Sequence, residues 1–211
     1  MTSVKPTFGD EWDLVADVVV VGSGAAAGSA AATAAAAGAQ VVILEKASWV
    51  GGTTARSGGV MWVPNNPVMA EMGLVDERDD AVHYMARTAF PTRYQRDHPT
   101  LGLRENSLRL IEAFYDHGRA ALEHLCSIGA LTLEHVPYPD YYADLPVDKA
   151  PFGRTLKPIF PEGWTRGISP TGGQILADMY IDAAVAHGAQ LRLEHEVRHV
   201  IRDDSDRVIG V

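Results

Sequence analysis

Apolar residues along this chain follow two distinct patterns. Near the N terminus, Val18-Val19-Val20-Val21 and Val41-Val42-Ile43-Leu44 are unbroken β-branched or aliphatic runs, as expected of strands buried on both faces of a parallel sheet. Between them, residues 25–37 are almost all alanine, which favours a helix with a thin, closely packing surface, and Gly38 stands where a glycine ends such a helix. A strand-helix-strand unit of this length demands a crossover connection, so both strands run parallel with their carboxyl ends at one edge. Ligands of open parallel sheets bind at that edge.

From Asp76 onward the period changes. Helices are expected over about 76–89 and 106–128, where Leu108, Ile111, Tyr115, Leu122 and Leu125 recur at helical spacing. Cys126 falls within the same pattern and reads as a small core residue. Residues 136–170 are rich in Pro, Gly and Tyr and read as a long ordered loop. A further helix over about 172–187 carries Ile175, Leu176, Met179 and Ala183 on one face and ends at Gly188. Glu196 to Arg202 and Arg207 to Val211 then read as two strands around the polar turn Asp203-Asp204-Ser205-Asp206.

Composition narrows the partners. The chain has 211 residues, with 18 Lys and Arg against 27 Asp and Glu, a net charge of −9 that argues against nucleic acid. Glycines at 22, 24 and 28 interrupt the early apolar stretch, and no charged segment precedes it, so neither a signal peptide nor a membrane span is expected. The lone cysteine has no internal disulfide partner and fits a reducing compartment, so a cytoplasmic protein, or one held weakly at a membrane surface, is expected. His195 and His199 lie four apart near strands, which does not bring them to one face, so no metal site is expected.

The chemistry is densest where the first strand meets its helix. In Gly22-Ser23-Gly24-Ala25-Ala26-Ala27-Gly28, Gly22 permits the tight turn, Gly24 admits a pyrophosphate to the backbone, and Ala27 with Gly28 holds the helix close to the sheet. The helix N-terminus offers unpaired N–H groups and partial positive charge to phosphate, drawing in Ser23 and Ala26 as well. Glu45 follows the second strand, 21 positions after Gly24, where a carboxylate accepts hydrogen bonds from ribose hydroxyls and disfavours a 2′-phosphate. That reads as the adenosine of FAD or NAD, not NADP. Lys46 and the run Gly51-Gly52-Thr53-Thr54-Ala55-Arg56-Ser57-Gly58-Gly59 have no place in a simple NAD unit. Gly52, Thr53, Thr54, Ser57, Gly58 and Gly59 offer N–H and O–H donors for a second phosphate and flavin loop, which points to FAD.

These residues, with Trp62-Val63-Pro64-Asn65-Asn66 after them, resemble the fumarate reductase / 3-ketosteroid dehydrogenase family of FAD-dependent oxidoreductases. The resemblance runs almost from Asp13 to Val211. It implies an α/β fold: a Rossmann-like FAD-binding domain over residues 14–211 with a parallel sheet, a helical and loop insertion at about 76–170, and a closing β-hairpin, after a tail of residues 1–13. Members that link FAD covalently carry a histidine before the threonine and double glycine; here the neighbourhood reads Gly52-Thr53-Thr54, so non-covalent FAD is implied. The backbone of Val197 would meet adenine by the same resemblance, although by pattern it is simply an apolar strand residue.

Gly58 to Pro64, Tyr138-Pro139-Asp140-Tyr141-Tyr142 and Gly153-Arg154-Thr155 look most like the 3-ketosteroid Δ1-dehydrogenases of that family, with a steroid ketone as the implied substrate. The resemblance makes Tyr141 the residue that supports a catalytic tyrosine base; the competing reading is a tyrosine that anchors a loop. Arg154 reads either as a ligand for the flavin or an acidic group, or as a structural ion-pair residue. The family's enzymes are more than twice as long, so the substrate domain and the base tyrosine are expected to be absent. A truncated reading frame or one piece of a split enzyme, completed by a C-terminal chain, is the resulting expectation. The other functions weighed are a fumarate-reductase-like flavoprotein for a small unsaturated acid and a non-catalytic FAD-binding fragment.

Overall fold

The computed structural model describes residues 12–160, 162 and 172–211. In chain order the elements are β1 (Val18–Val21), α1 (Ala25–Ala36), β2 (Val41–Leu44), β3 (Met61–Trp62), α2 (Pro67–Glu71), α3 (Arg78–Ala89) and α4 (Glu105–Ser127). They continue with β4 (Leu133–His135), β5 (Thr155–Pro158), α5 (Gly172–Ala186), β6 (Gln190–Arg192), β7 (Ile201–Arg202) and β8 (Val208–Gly210). The fold is α/β, and the predicted strand-helix-strand unit is present, β1 pairing parallel with β2 from Val18 opposite Val41 to Val21 opposite Leu44.

A third parallel strand completes that sheet in the order β1-β2-β6. It lies at residues 190–192, pairing with β2 from Val42 opposite Gln190, whereas the sequence pattern places a strand at 196–202. Of that expected strand only Ile201 and Arg202 pair, as β7 with β8 in the closing hairpin. The reason is burial. β6 is an edge strand whose single apolar residue, Leu191, touches the core between exposed Gln190 and Arg192, so no apolar run announces it.

Helix α1 packs on α5 at the distance its composition predicts. Gly28, Ala31, Ala32 and Ala35 are buried, and a methyl group at Gly28 would fall 2.6 Å from the Tyr180 Cβ, so the two helix backbones can approach this closely only with glycine there. α5 in turn buries Ile175, Leu176, Ala177, Tyr180, Ile181, Ala183 and Ala184. Leu176, Tyr180, Ile181, Ala183 and Ala184 join Val20, Val41 and Ile43 from the sheet in the main core, each large aliphatic side chain contributing roughly 1.5–3 kcal/mol by leaving water.

The expected loop over 136–170 is corrected by β5, the central strand of a small antiparallel sheet ordered β3-β5-β4, with Leu156 fully buried. Four residues ending in proline give too short an alternation to stand out. Residues 161 and 163–170 of that expected loop lie outside the described residues, as do residues 1–11 of the expected tail. Trp12, in the same tail, lies against Gly210 of the hairpin.

Helices α3 and α4 enclose a second cluster of Val82, Met85, Ala86, Leu101 and Leu103, against which Leu108, Ile111 and Tyr115 pack. Leu122 and Leu125 belong to the main core. Cys126 is not a core residue: in the last turn of α4, at the margin of that apolar stripe, it is exposed. No helix among the described residues is long and apolar enough to cross a membrane.

Candidate functional site

At the carboxyl edge of the parallel sheet lies a cleft of about 640 Å³. Its floor is the turn from β1 into α1. Gly22 takes φ +88, a conformation that a residue with a side chain rarely adopts, and its amide donates to the Leu44 carbonyl (2.8 Å), tying the turn to the end of β2. Gly24 is different: its φ is −71, and a methyl group there would meet Thr54 Oγ1 at an ordinary 3.5 Å. Neither backbone strain nor packing requires glycine at 24, which leaves the approach of a ligand to the backbone as the physical reason for it.

The first turn of α1 meets the cleft with free amides. The Ala25 N–H donates to Thr54 Oγ1 (3.0 Å), so the second loop caps the helix, while those of Ala26 and Ala27 have no acceptor among the described residues. Two open amides at a helix N-terminus are the donor set that a pyrophosphate uses.

Glu45 closes the far side. Although buried, it is not isolated: Oε2 accepts from the Ser23 hydroxyl (2.5 Å) and Oε1 from the Ala47 amide (2.8 Å). Each carboxylate oxygen keeps a second acceptor site for a hydroxyl in the cleft. The Ser23 hydroxyl also accepts from the Gly51 amide (2.9 Å), so one buried oxygen joins the glycine turn, the acidic residue and the second loop. The Ser23 side chain is therefore a strut inside the wall.

Gly22, Ser23, Gly24, Ala26, Ala27, Glu45, Lys46, Gly52, Thr53, Thr54 and Val197 all line this cleft. Ser57, Gly58 and Gly59 do not. The Ser57 hydroxyl donates to the Thr54 carbonyl (2.8 Å) and accepts from the Gly59 amide (3.1 Å), and a side chain at Gly59 would overlap the backbone of Gly172. His195, which the sequence raises only as a possible metal ligand, and Glu196 also line the cleft. The His195 amide donates to the Glu45 carbonyl (2.9 Å), a link made through β6 and invisible without that strand.

A second concavity, of about 550 Å³, lies between α3 and α4. Trp62 stacks between Tyr84 (5.8 Å between centroids, 20° between planes) and Phe114 (6.4 Å, 8°), and Tyr141 and Tyr142 stand edge to face at the rim (5.0 Å, 79°). Burial raises the Tyr84 phenol above its ordinary pKa, so it is a neutral wall residue at physiological pH.

Against known proteins, the FAD binding domain family matches residues 17–211. The chain belongs to that family. FAD is accordingly the cofactor of this domain, and the open amides, Gly24 and the half-satisfied Glu45 carboxylate fit its ADP portion. A 3-oxosteroid 1-dehydrogenase of Mycolicibacterium smegmatis is 36% identical over 173 residues, covering 78% of this chain and 28% of that protein. A 4-oxocyclohexanecarboxylate 2-dehydrogenase of Sinomonas cyclohexanicum is 40% identical over 144 residues, covering 67% and 22%. The crystal structure of 3-ketosteroid-Δ4-(5α)-dehydrogenase from Rhodococcus jostii in complex with 4-androstene-3,17-dione is similar with a TM-score of 0.67 and 25% identity, over 98% of this chain and 44% of that one. The chain thus spans less than a third of the length of either curated relative.

Proposed function

We propose that this FAD-binding domain serves a dehydrogenase that removes two hydrogens from adjacent carbons beside the ketone of a 3-ketosteroid. FAD, when bound, supplies the two-electron acceptor for that oxidation. Gly22 makes the turn that brings the pyrophosphate to the backbone, Ser23, Gly24, Ala26 and Ala27 present amides to it, Glu45 takes the ribose hydroxyls, and the Val197 backbone faces adenine. Lys46, Gly52, Thr53 and Thr54 hold the phosphates from the opposite wall, and Ser57, Gly58 and Gly59, outside the ADP cleft, lie towards the flavin. No histidine stands in the Gly52-Thr53-Thr54 run, so the cofactor is held without a covalent bond. Tyr141 supports the proton-accepting tyrosine by hydrogen bonding; its side chain is 90% exposed and available for this.

The observation that carries the substrate reading is the groove: every described residue along it, from Trp62 and Tyr84 to Leu110, Phe114, Tyr141 and Tyr142, is uncharged. A stacked aromatic wall without a cation suits a flat apolar ketone and gives nothing to clamp a carboxylate, which argues against a small unsaturated acid. A cytoplasmic setting extends the proposal, resting on the single cysteine. The test is to load the purified chain with FAD and follow the visible flavin band during titration with 4-androstene-3,17-dione, 4-oxocyclohexanecarboxylate and fumarate. The steroid alone should perturb the band. A response to either acid without one to the steroid would contradict the reading.

A further inference from the structure

Arg154 takes no part in the cleft or in the groove lining, yet it is completely buried and the most heavily bonded side chain near either. Its Nε and Nη2 fork onto Asp76 (2.7 and 2.9 Å). On the opposite side Nη1 donates to Asp140 (2.7 Å) and Asp148 (3.0 Å), and the Arg154 amide donates to the other oxygen of Asp140 (2.8 Å). Burial opposes the guanidinium charge, but the hydrogen bonds and charges of Asp76 and then Asp140 outweigh it and hold its pKa above the ordinary value.

Two consequences follow from where these partners sit. Asp140 and Asp148 bracket the segment that carries Tyr141 and Tyr142, so one nitrogen fastens that loop at both ends. The guanidinium also lies behind the groove wall, 4.8 Å from the Tyr84 ring centroid and 5.6 Å from that of Trp62. Asp76, in turn, is fixed by the Asn65 amide (3.1 Å) and, through its carbonyl, by the Tyr115 hydroxyl (2.5 Å), which joins the cluster to the turn after β3 and to α4. Gly153, at φ +73, is required beside it: a side chain there would overlap the Tyr138 carbonyl and press on Asp140.

A buried cluster of three carboxylates and one guanidinium is a costly way to stabilise a fold, since an apolar packing of the same volume does as well or better. What such a cluster gives is a fixed geometry. We propose that Arg154 is a positioning residue: it sets the Tyr141–Tyr142 loop and the Trp62–Tyr84 wall in the arrangement that admits the substrate. The inference rests on the reading of the groove as the steroid site. Arginine is needed because its planar fork spans carboxylates on two sides, which the single ammonium of lysine does not.

The test compares Arg154→Lys and Asp140→Ala with the unaltered full chain in three readouts: FAD affinity, the rate of chymotryptic cleavage after Tyr141 or Tyr142, and quenching of tryptophan fluorescence by 4-androstene-3,17-dione. FAD affinity should stay within about twofold while loop cleavage accelerates and steroid affinity falls, each by about tenfold or more, in both variants, with lysine giving no rescue. Unchanged cleavage and steroid affinity in both variants would overturn the proposal. So would a loss of FAD affinity in step with loop protection, which marks a merely structural cluster. If the unaltered chain binds no steroid, the substrate reading fails, and the cleavage ratio still decides whether Arg154 holds the loop.

Discussion

Ser23 joins three segments of the cleft at the sheet edge through one buried oxygen, donating to Glu45 and accepting from the Gly51 amide. Ser23→Ala leaves that amide without a partner and the carboxylate free to turn, at a cost of about 1–3 kcal/mol for the unpaired buried donor. FAD affinity should fall about tenfold, read by quenching of flavin fluorescence, with far-ultraviolet circular dichroism unchanged. Ser23 also marks the limit of what residues alone reveal. Its position in the glycine turn is legible, because strand, turn and helix are local in sequence. Its bond to Glu45 spans 22 positions and depends on the pairing of β1 with β2. Arg154 is the stronger case: its partner Asp76 lies 78 residues away, and an arginine between Gly153 and Thr155 carries no local sign of burial.

Among the elements, α4 and α5 were legible through a helical apolar period, β1 and β2 through unbroken apolar runs and α1 through its alanines. β1 is nevertheless not buried on both faces: it lies at the sheet edge with Val19 and Val21 exposed. β6 and β5 were not legible, because one is a polar edge strand and the other four residues closing on a proline. The junction of α1 with α5 carries a pH dependence of its own. Burial pushes the Tyr180 phenol up to about 12 from its ordinary 10. Between these values the folded chain keeps a proton that the unfolded chain has lost, so the contribution is complete below pH 10 and disappears as pH rises towards 12. Stability should fall by about 1.4 kcal/mol per pH unit in that window from this group. Urea unfolding at pH 9 to 12 checks it: Tyr180→Phe should have the shallower alkaline decline, and an equally steep one would refute the assignment.

At the scale of the molecule, two concavities lie on one α/β frame: the cleft at the edge of the parallel sheet, proposed for the ADP of FAD, and an aromatic groove between α3 and α4. The first was readable from glycines and one carboxylate at a fixed spacing; the groove forms only when Trp62, Tyr84 and Phe114 are stacked by elements far apart in the chain. The central claim is that the cleft holds FAD through the open amides of α1 and the Glu45 carboxylate. Equilibrium titration of the purified chain and of Glu45→Ala with FAD, followed by acid precipitation, tests it most directly. The account predicts one FAD per chain, released intact into the acid supernatant, with affinity weakened about tenfold or more by loss of the ribose contacts in the variant. Flavin that remains with the precipitate, or equal affinity in both proteins, would contradict it.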